Sequence, residues 1–83
     1  MQLSPLVARG RVIAAARMLA GLDQFQLAAA AGLSPSTISK IEAGRKNVRG
    51  QTLRAVKQAL EGLGVDLTEN GRTGHHAVGT SYA

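Results

Sequence analysis

Six of the chain's ten lysines and arginines fall between residues 40 and 57: Lys40, Arg45, Lys46, Arg49, Arg54 and Lys57. Glu42 is the one acid in that stretch. Cations gathered in this way suit a polyanionic partner. They neutralise phosphates, which positions a protein without reading sequence. Just upstream lie Ser34, Ser36, Thr37 and Ser39. Short hydroxyls of this kind can meet base edges or phosphate oxygens. A charge run is ordinarily a solvated face, and such hydroxyls are ordinarily plain helix surface. Their adjacency is what favours a nucleic-acid partner.

Other chemistries find little support. There is no cysteine, so disulfides and thiolate metal sites are excluded. His75 and His76 are adjacent, and on a strand they point to opposite faces. No third ligand lies nearby, so no metal site is expected. No serine–histidine arrangement and no glycine-rich phosphate loop of the right spacing is present. The expectation is a non-enzyme without cofactors. Phe25 and Tyr82 are the two aromatics, which disfavours stacking on single-stranded nucleic acid.

The elements that position these residues follow from the rest of the composition. Eighty-three residues make one small domain. Its core must be built from Leu, Ile, Val and Ala, a set rich in helix formers. Net charge is +5 and the pI is near 10.9. No apolar run approaches the roughly 20 residues that span a bilayer. The N-terminus lacks the order of a signal peptide. The chain therefore reads as soluble and cytoplasmic, with no membrane partner.

Helix 1 is predicted from Pro5 to about Ala20. Ser4 is its N-cap, Pro5 its first residue and Gly21 its stop. Leu6, Ile13, Ala16 and Ala20 share a face. Gly10 within it costs about 1 kcal/mol relative to alanine and weakens the first turns. Asp23 opens helix 2, and Gln26 completes a capping box. Gly32 ends that helix in a left-handed conformation. Ser34 caps helix 3, which starts at Pro35 and runs to about Ala43, with Ile38 and Ile41 inward. Gly44 stops it, and the basic loop 45–49 follows. Helix 4 covers about Gly50 to Glu61, with Leu53, Val56, Leu60 and Leu63 forming an amphipathic stripe. Val65 to Thr68 alternates like a strand, Asn70-Gly71 signals a hairpin, and His75 to Val78 would return. Gly79 to Ala83 reads as a frayed tail. The division expected is a DNA-binding unit over 1–64 and an extension over 65–83.

Two short helices joined at Gly32-Leu33-Ser34 have the features of a helix-turn-helix, with Ala28 at the crossing and helix 3 presented outward. The residues Leu22-Asp23-Gln24-Phe25-Gln26-Leu27-Ala28 carry a resemblance. So does the run Gly32-Leu33-Ser34-Pro35-Ser36-Thr37-Ile38-Ser39-Lys40-Ile41-Glu42-Ala43-Gly44-Arg45. Over about 12–67 the chain resembles the lambda-repressor-like family of Cro and phage-repressor type regulators, the XRE family. The resemblance implies an all-α bundle of four to five helices; the short C-terminal β-hairpin is read from the residues themselves, since the chain from Glu69 on lies outside the shared domain. It implies binding to double-stranded operator DNA as a symmetric dimer. Gln24 matches a residue that contacts a phosphate or braces the reading residues. Ser34, Ser36, Thr37 and Lys40 match positions that meet bases or phosphates. Arg45, Lys46 and Asn47 match a loop along the DNA backbone, which Arg49 extends. Arg17 and Glu42 match a buried structural ion pair, whose disruption costs about 3–5 kcal/mol if it is buried. Pro35 departs from the pattern, since many relatives carry a base-reading polar residue there. Specificity then leans on Lys40 and on DNA shape.

The leading expectation is a sequence-specific transcriptional regulator, a homodimer on an inverted repeat. Its dimer contact would come from Leu60, Leu63, Val65 and Leu67. The rival is a helix-turn-helix module that binds and inhibits a protein partner, as an antiactivator or antitoxin does. A third reading is a DNA binder without sequence preference.

Overall fold

The computed structural model describes residues 3–70 and 75–80, with side chains followed as far as Leu67. Four helices come first: α1 (Pro5–Leu19), α2 (Gln24–Ala31), α3 (Pro35–Glu42) and α4 (Gly50–Gly62). A two-stranded antiparallel hairpin follows, β1 (Val65–Asn70) and β2 (His75–Thr80). Each of the first three helices starts where a side chain satisfies its free amides. Ser4 Oγ accepts from the Val7 N–H at 3.2 Å. Asp23 and Gln26 exchange reciprocal bonds of 2.7 and 2.9 Å, a complete capping box. Ser34 Oγ accepts from the Thr37 N–H at 3.3 Å. α4 starts behind Arg49 with no side-chain cap.

The turn between α2 and α3 depends on Gly32, whose φ of 70° is left-handed. That conformation lets the Leu33 N–H reach back to the Ala28 carbonyl at 2.8 Å, closing the helix end. α3 then leaves at an angle, and its Ile38 and Ile41 are driven inward.

The core is one cluster: Ile13, Ala16, Leu27, Ala28, Ile38, Ile41, Val56, Leu60 and Val65, with Leu33, Leu53 and Leu67 packed against it. Every helix and β1 contributes to it. Gly10 is buried in α1. A Cβ there would lie 2.5 Å from the Glu42 carbonyl oxygen and 2.6 Å from that of Ile41. Gly10 is thus the point where α1 crosses the end of α3, and the helix runs unbroken through it. Gly44 is pressed in the same way, a Cβ there meeting the Val7 Cα at 2.8 Å.

Two of the four residues expected at a dimer contact lie inside the bundle. Leu60 and Val65 are not on the surface but wholly inside, at 0% and 1% exposure. The α4 stripe faces its own bundle, and after Gly64 the chain folds Val65 back into the same cluster. Of the four residues, Leu63 is exposed and Leu67 half-buried. The strand also runs further than the sequence suggests. Gly79 and Thr80, expected in a frayed tail, belong to β2, pairing with Asp66 and Val65. The turn at 71–74 and the tail at 81–83 lie outside the described residues.

Candidate nucleic-acid interface

α2 and α3 pack against each other through Leu27, Ala28, Ile38 and Ile41, leaving the opposite side of α3 to solvent. Ser36, Ser39 and Lys40 are exposed there, Ser34 is exposed at the cap and Thr37 is half-buried. Three of these hydroxyls are joined. Ser34 Oγ lies 3.1 Å from Ser36 Oγ and 2.9 Å from Thr37 Oγ1. Ser34 therefore serves first as the cap, and Ser36 and Thr37 are oriented by it. Pro35 fits the first helical turn, where no amide donor is needed, and gives the recognition face no polar group.

Beyond α3 the chain turns at Gly44, and the Arg45 N–H bonds the Lys40 carbonyl at 3.0 Å. The loop that follows lies beside α3. Ser39, Lys40, Arg45, Lys46, Asn47 and Val48 line one open groove. Thr37, Lys40, Asn47, Val48, Arg49 and Thr52 line a second. Lys40, Asn47 and Val48 belong to both. Asn47 takes a left-handed φ of 69°, which asparagine tolerates better than most residues. Half-buried Val48 anchors the loop to the core, while Lys40, Arg45, Lys46, Asn47 and Arg49 are exposed around the grooves. Lys40 and the loop cations thus form one continuous positive strip. Thr52 was not singled out in the sequence. Its place on the first turn of α4, directly after the basic loop, is the signal that could have found it.

Gln24 sits apart from this strip. Its Nε2 donates to Glu42 Oε1 at 3.1 Å. Glu42 is held from the other side by Arg17, whose Nε donates to Oε2 at 2.8 Å and whose Nη2 donates to Oε1 at 3.1 Å. Arg17 Nη1 also donates to the Leu22 carbonyl at 2.9 Å. The two charged side chains are 14% and 8% exposed. Hydrogen bonding to Glu42 raises the Arg17 guanidinium above its ordinary value, against the opposing effect of burial. The cluster joins α1, the connection after it, α2 and the end of α3.

Among the described residues there is no group of three or more His, Cys, Asp or Glu placed to hold a metal. No helix among them is long and apolar enough to cross a membrane.

A family model described as a helix-turn-helix domain matches residues 10–73. No curated protein matches the chain. Solved structures similar to it include the following two. One is the clp gene regulator ClgR from C. glutamicum, at 31% identity over 74% of this chain and 78% of that one, with a TM-score of 0.66. The other is a point mutant of the restriction-modification controller protein C.Esp1396I, at 30% identity over 74% and 77%, with a TM-score of 0.65. The α2–turn–α3 geometry, the family match and these neighbours agree, and the chain belongs to the helix-turn-helix domain family, of the lambda-repressor-like XRE type.

Proposed function

We propose that the protein is a sequence-specific transcriptional regulator that binds an inverted-repeat operator as a homodimer. The observation that carries this reading is the strip of Lys40, Arg45, Lys46 and Arg49, exposed beside the outward face of α3. α3 enters the major groove, with Ser36, Thr37, Ser39 and Lys40 toward the base edges. Arg45, Lys46, Asn47 and Arg49 follow one strand of the backbone. Ser34 caps the reading helix and orients its hydroxyls. Two such helices reach successive major grooves when a two-fold axis places them about 34 Å apart. The contact between copies falls around Leu63, which is 51% exposed at the end of α4. The relatives' names support a regulator: one is a clp gene regulator and the other a controller protein of a restriction-modification system.

The second reading is a module that binds a protein partner. It has Met18, Leu19 and Phe25 in its favour, exposed at 65%, 53% and 71%. The test is a gel-shift titration on the DNA upstream of the gene beside a random duplex of equal length. A shift at lower protein concentration on the upstream DNA is the expected result. Equal shifts would leave a binder without sequence preference, and no shift at micromolar protein would remove DNA as the partner.

A further inference from the structure

We infer that Ser36 reads a base only by accepting a hydrogen bond, from the exocyclic amino group of adenine or cytosine, and that Thr37 is the positioning residue that imposes this. The inference rests on the DNA-binding reading above and names the base class that reading leaves open. A hydroxyl has one hydrogen and accepts at most two bonds. Ser34 Oγ already accepts the Thr37 N–H at 3.3 Å. It also lies 3.1 Å from Ser36 Oγ and 2.9 Å from Thr37 Oγ1. One acceptor place is left for two hydroxyl neighbours. One neighbour therefore donates to Ser34, and the other receives the Ser34 hydrogen. The receiver keeps its own hydrogen for an outside partner, while the donor has only lone pairs left. No further side-chain bond of Ser36 or Thr37 among the described residues changes this count. The two residues together offer one outward donor, never two.

The surroundings decide which residue holds that donor. Thr37 is half-buried at the border of the reading face, where it lines the groove of Lys40, Asn47, Arg49 and Thr52. Lys40 and Arg49 draw a phosphate to that groove. A phosphate oxygen only accepts, so Thr37 must be the outward donor. Ser34 then donates to Thr37, and Ser36 donates to Ser34. Ser36 is exposed and lines neither groove. It is left with lone pairs for the base it meets. In the major groove the amino groups of adenine and cytosine donate, whereas the ring oxygens of guanine and thymine accept. An accepting group at Ser36 would reverse the hydroxyl chain and turn the Thr37 lone pairs against the phosphate.

The test starts with selection from a randomised duplex library, by the full chain and by its Ser36→Ala variant. The position that only the unaltered chain selects is the one Ser36 meets. Duplexes carrying the selected site are then titrated by fluorescence anisotropy. Removing the amino group of that pair, with plain purine for adenine or pyrimidinone for cytosine, should weaken the unaltered chain about fivefold, the scale of one neutral hydrogen bond. The same change should not affect Ser36→Ala. Removing the opposite oxygen, with methylpyrimidinone for thymine or aminopurine for guanine, should affect neither. Reversing the pair sets an oxygen where the amino group was. It should cost the unaltered chain about fivefold more than it costs Ser36→Ala. Thr37→Val lets the hydroxyl chain turn round, and that excess should fall below about twofold. Thr37→Ser keeps the hydroxyl and should keep the excess. A loss on removing the oxygen, an undiminished excess in Thr37→Val, or no position lost by Ser36→Ala would overturn the inference with DNA binding intact. A library returned without preference by the unaltered chain would instead overturn the sequence-specific function, and the inference with it.

Discussion

Arg17 and Glu42 illustrate how much one side chain can hold at the residue scale. The Glu42 side chain is 8% exposed and accepts three hydrogen bonds, two from Arg17 and one from Gln24. Arg17→Ala leaves that carboxylate with the Gln24 bond alone. The expected cost is about 3 kcal/mol, the lower end for a buried pair because Arg17 is 14% exposed. A denaturant midpoint measures it, and a loss under about 1 kcal/mol would show that water already shares the site. Replacing both partners by apolar residues of similar size should cost far less. The pairing of residues 17 and 42 could be proposed from resemblance to a family. The Gln24 bond could not be read in advance. It joins residues 18 apart, and the choice of a carboxylate over a reading residue depends on how α2 and α3 cross. The cations and hydroxyls of the interface were legible because they cluster in the chain itself, between residues 34 and 49.

At the scale of elements, three helix starts were legible because capping is local. A serine or aspartate and the residue three positions on decide it, and Ser4, Asp23 and Ser34 each do so here. The two strands were legible from alternation, although β2 outran its apolar pattern. α4 differs from the other helices. Arg49 stands at its N-cap, no side chain caps it, and its first turn holds no acid. A cation at the positive end of a helix dipole is poorly placed for stability, yet well placed for a phosphate. Arg49→Asp should therefore stabilise the chain by about 1 kcal/mol, a rise of several degrees in melting temperature. The same change should weaken binding to any duplex. A variant that melts lower, or binds as before, would show that the position serves neither end.

Across the whole molecule the charges are sorted. The cations of residues 40–57 run from the last turn of α3 into α4, while three of the five acids, Glu61, Asp66 and Glu69, come at or after the end of α4. Four exposed interface cations per protomer, Lys40, Arg45, Lys46 and Arg49, make eight in a dimer. Binding should then fall about 10⁴-fold between 50 and 200 mM salt, a logarithmic slope of about −7. Arg45→Ala should flatten that slope by about 2 if two copies bind together, and by about 1 if one binds alone. The slope thus reports stoichiometry as well as charge, and a slope near zero would exclude phosphate contacts. What the sequence did not reveal at this scale was which apolar residues face inward. Leu60, Leu63, Val65 and Leu67 look interchangeable as a stripe. The reversal at Gly64 sends Val65 into the core and leaves Leu63 outside. The crossing at Gly10 has a consequence of another kind. Two backbone carbonyls close off that position, and no neighbouring rotamer can make room. If residues 10 and 11 were randomised together and survivors chosen for soluble, folded protein in cells, position 10 should return glycine almost every time, while exposed position 11 drifts freely. Sequencing such a pool would chart the contact between α1 and α3 with no coordinates at all.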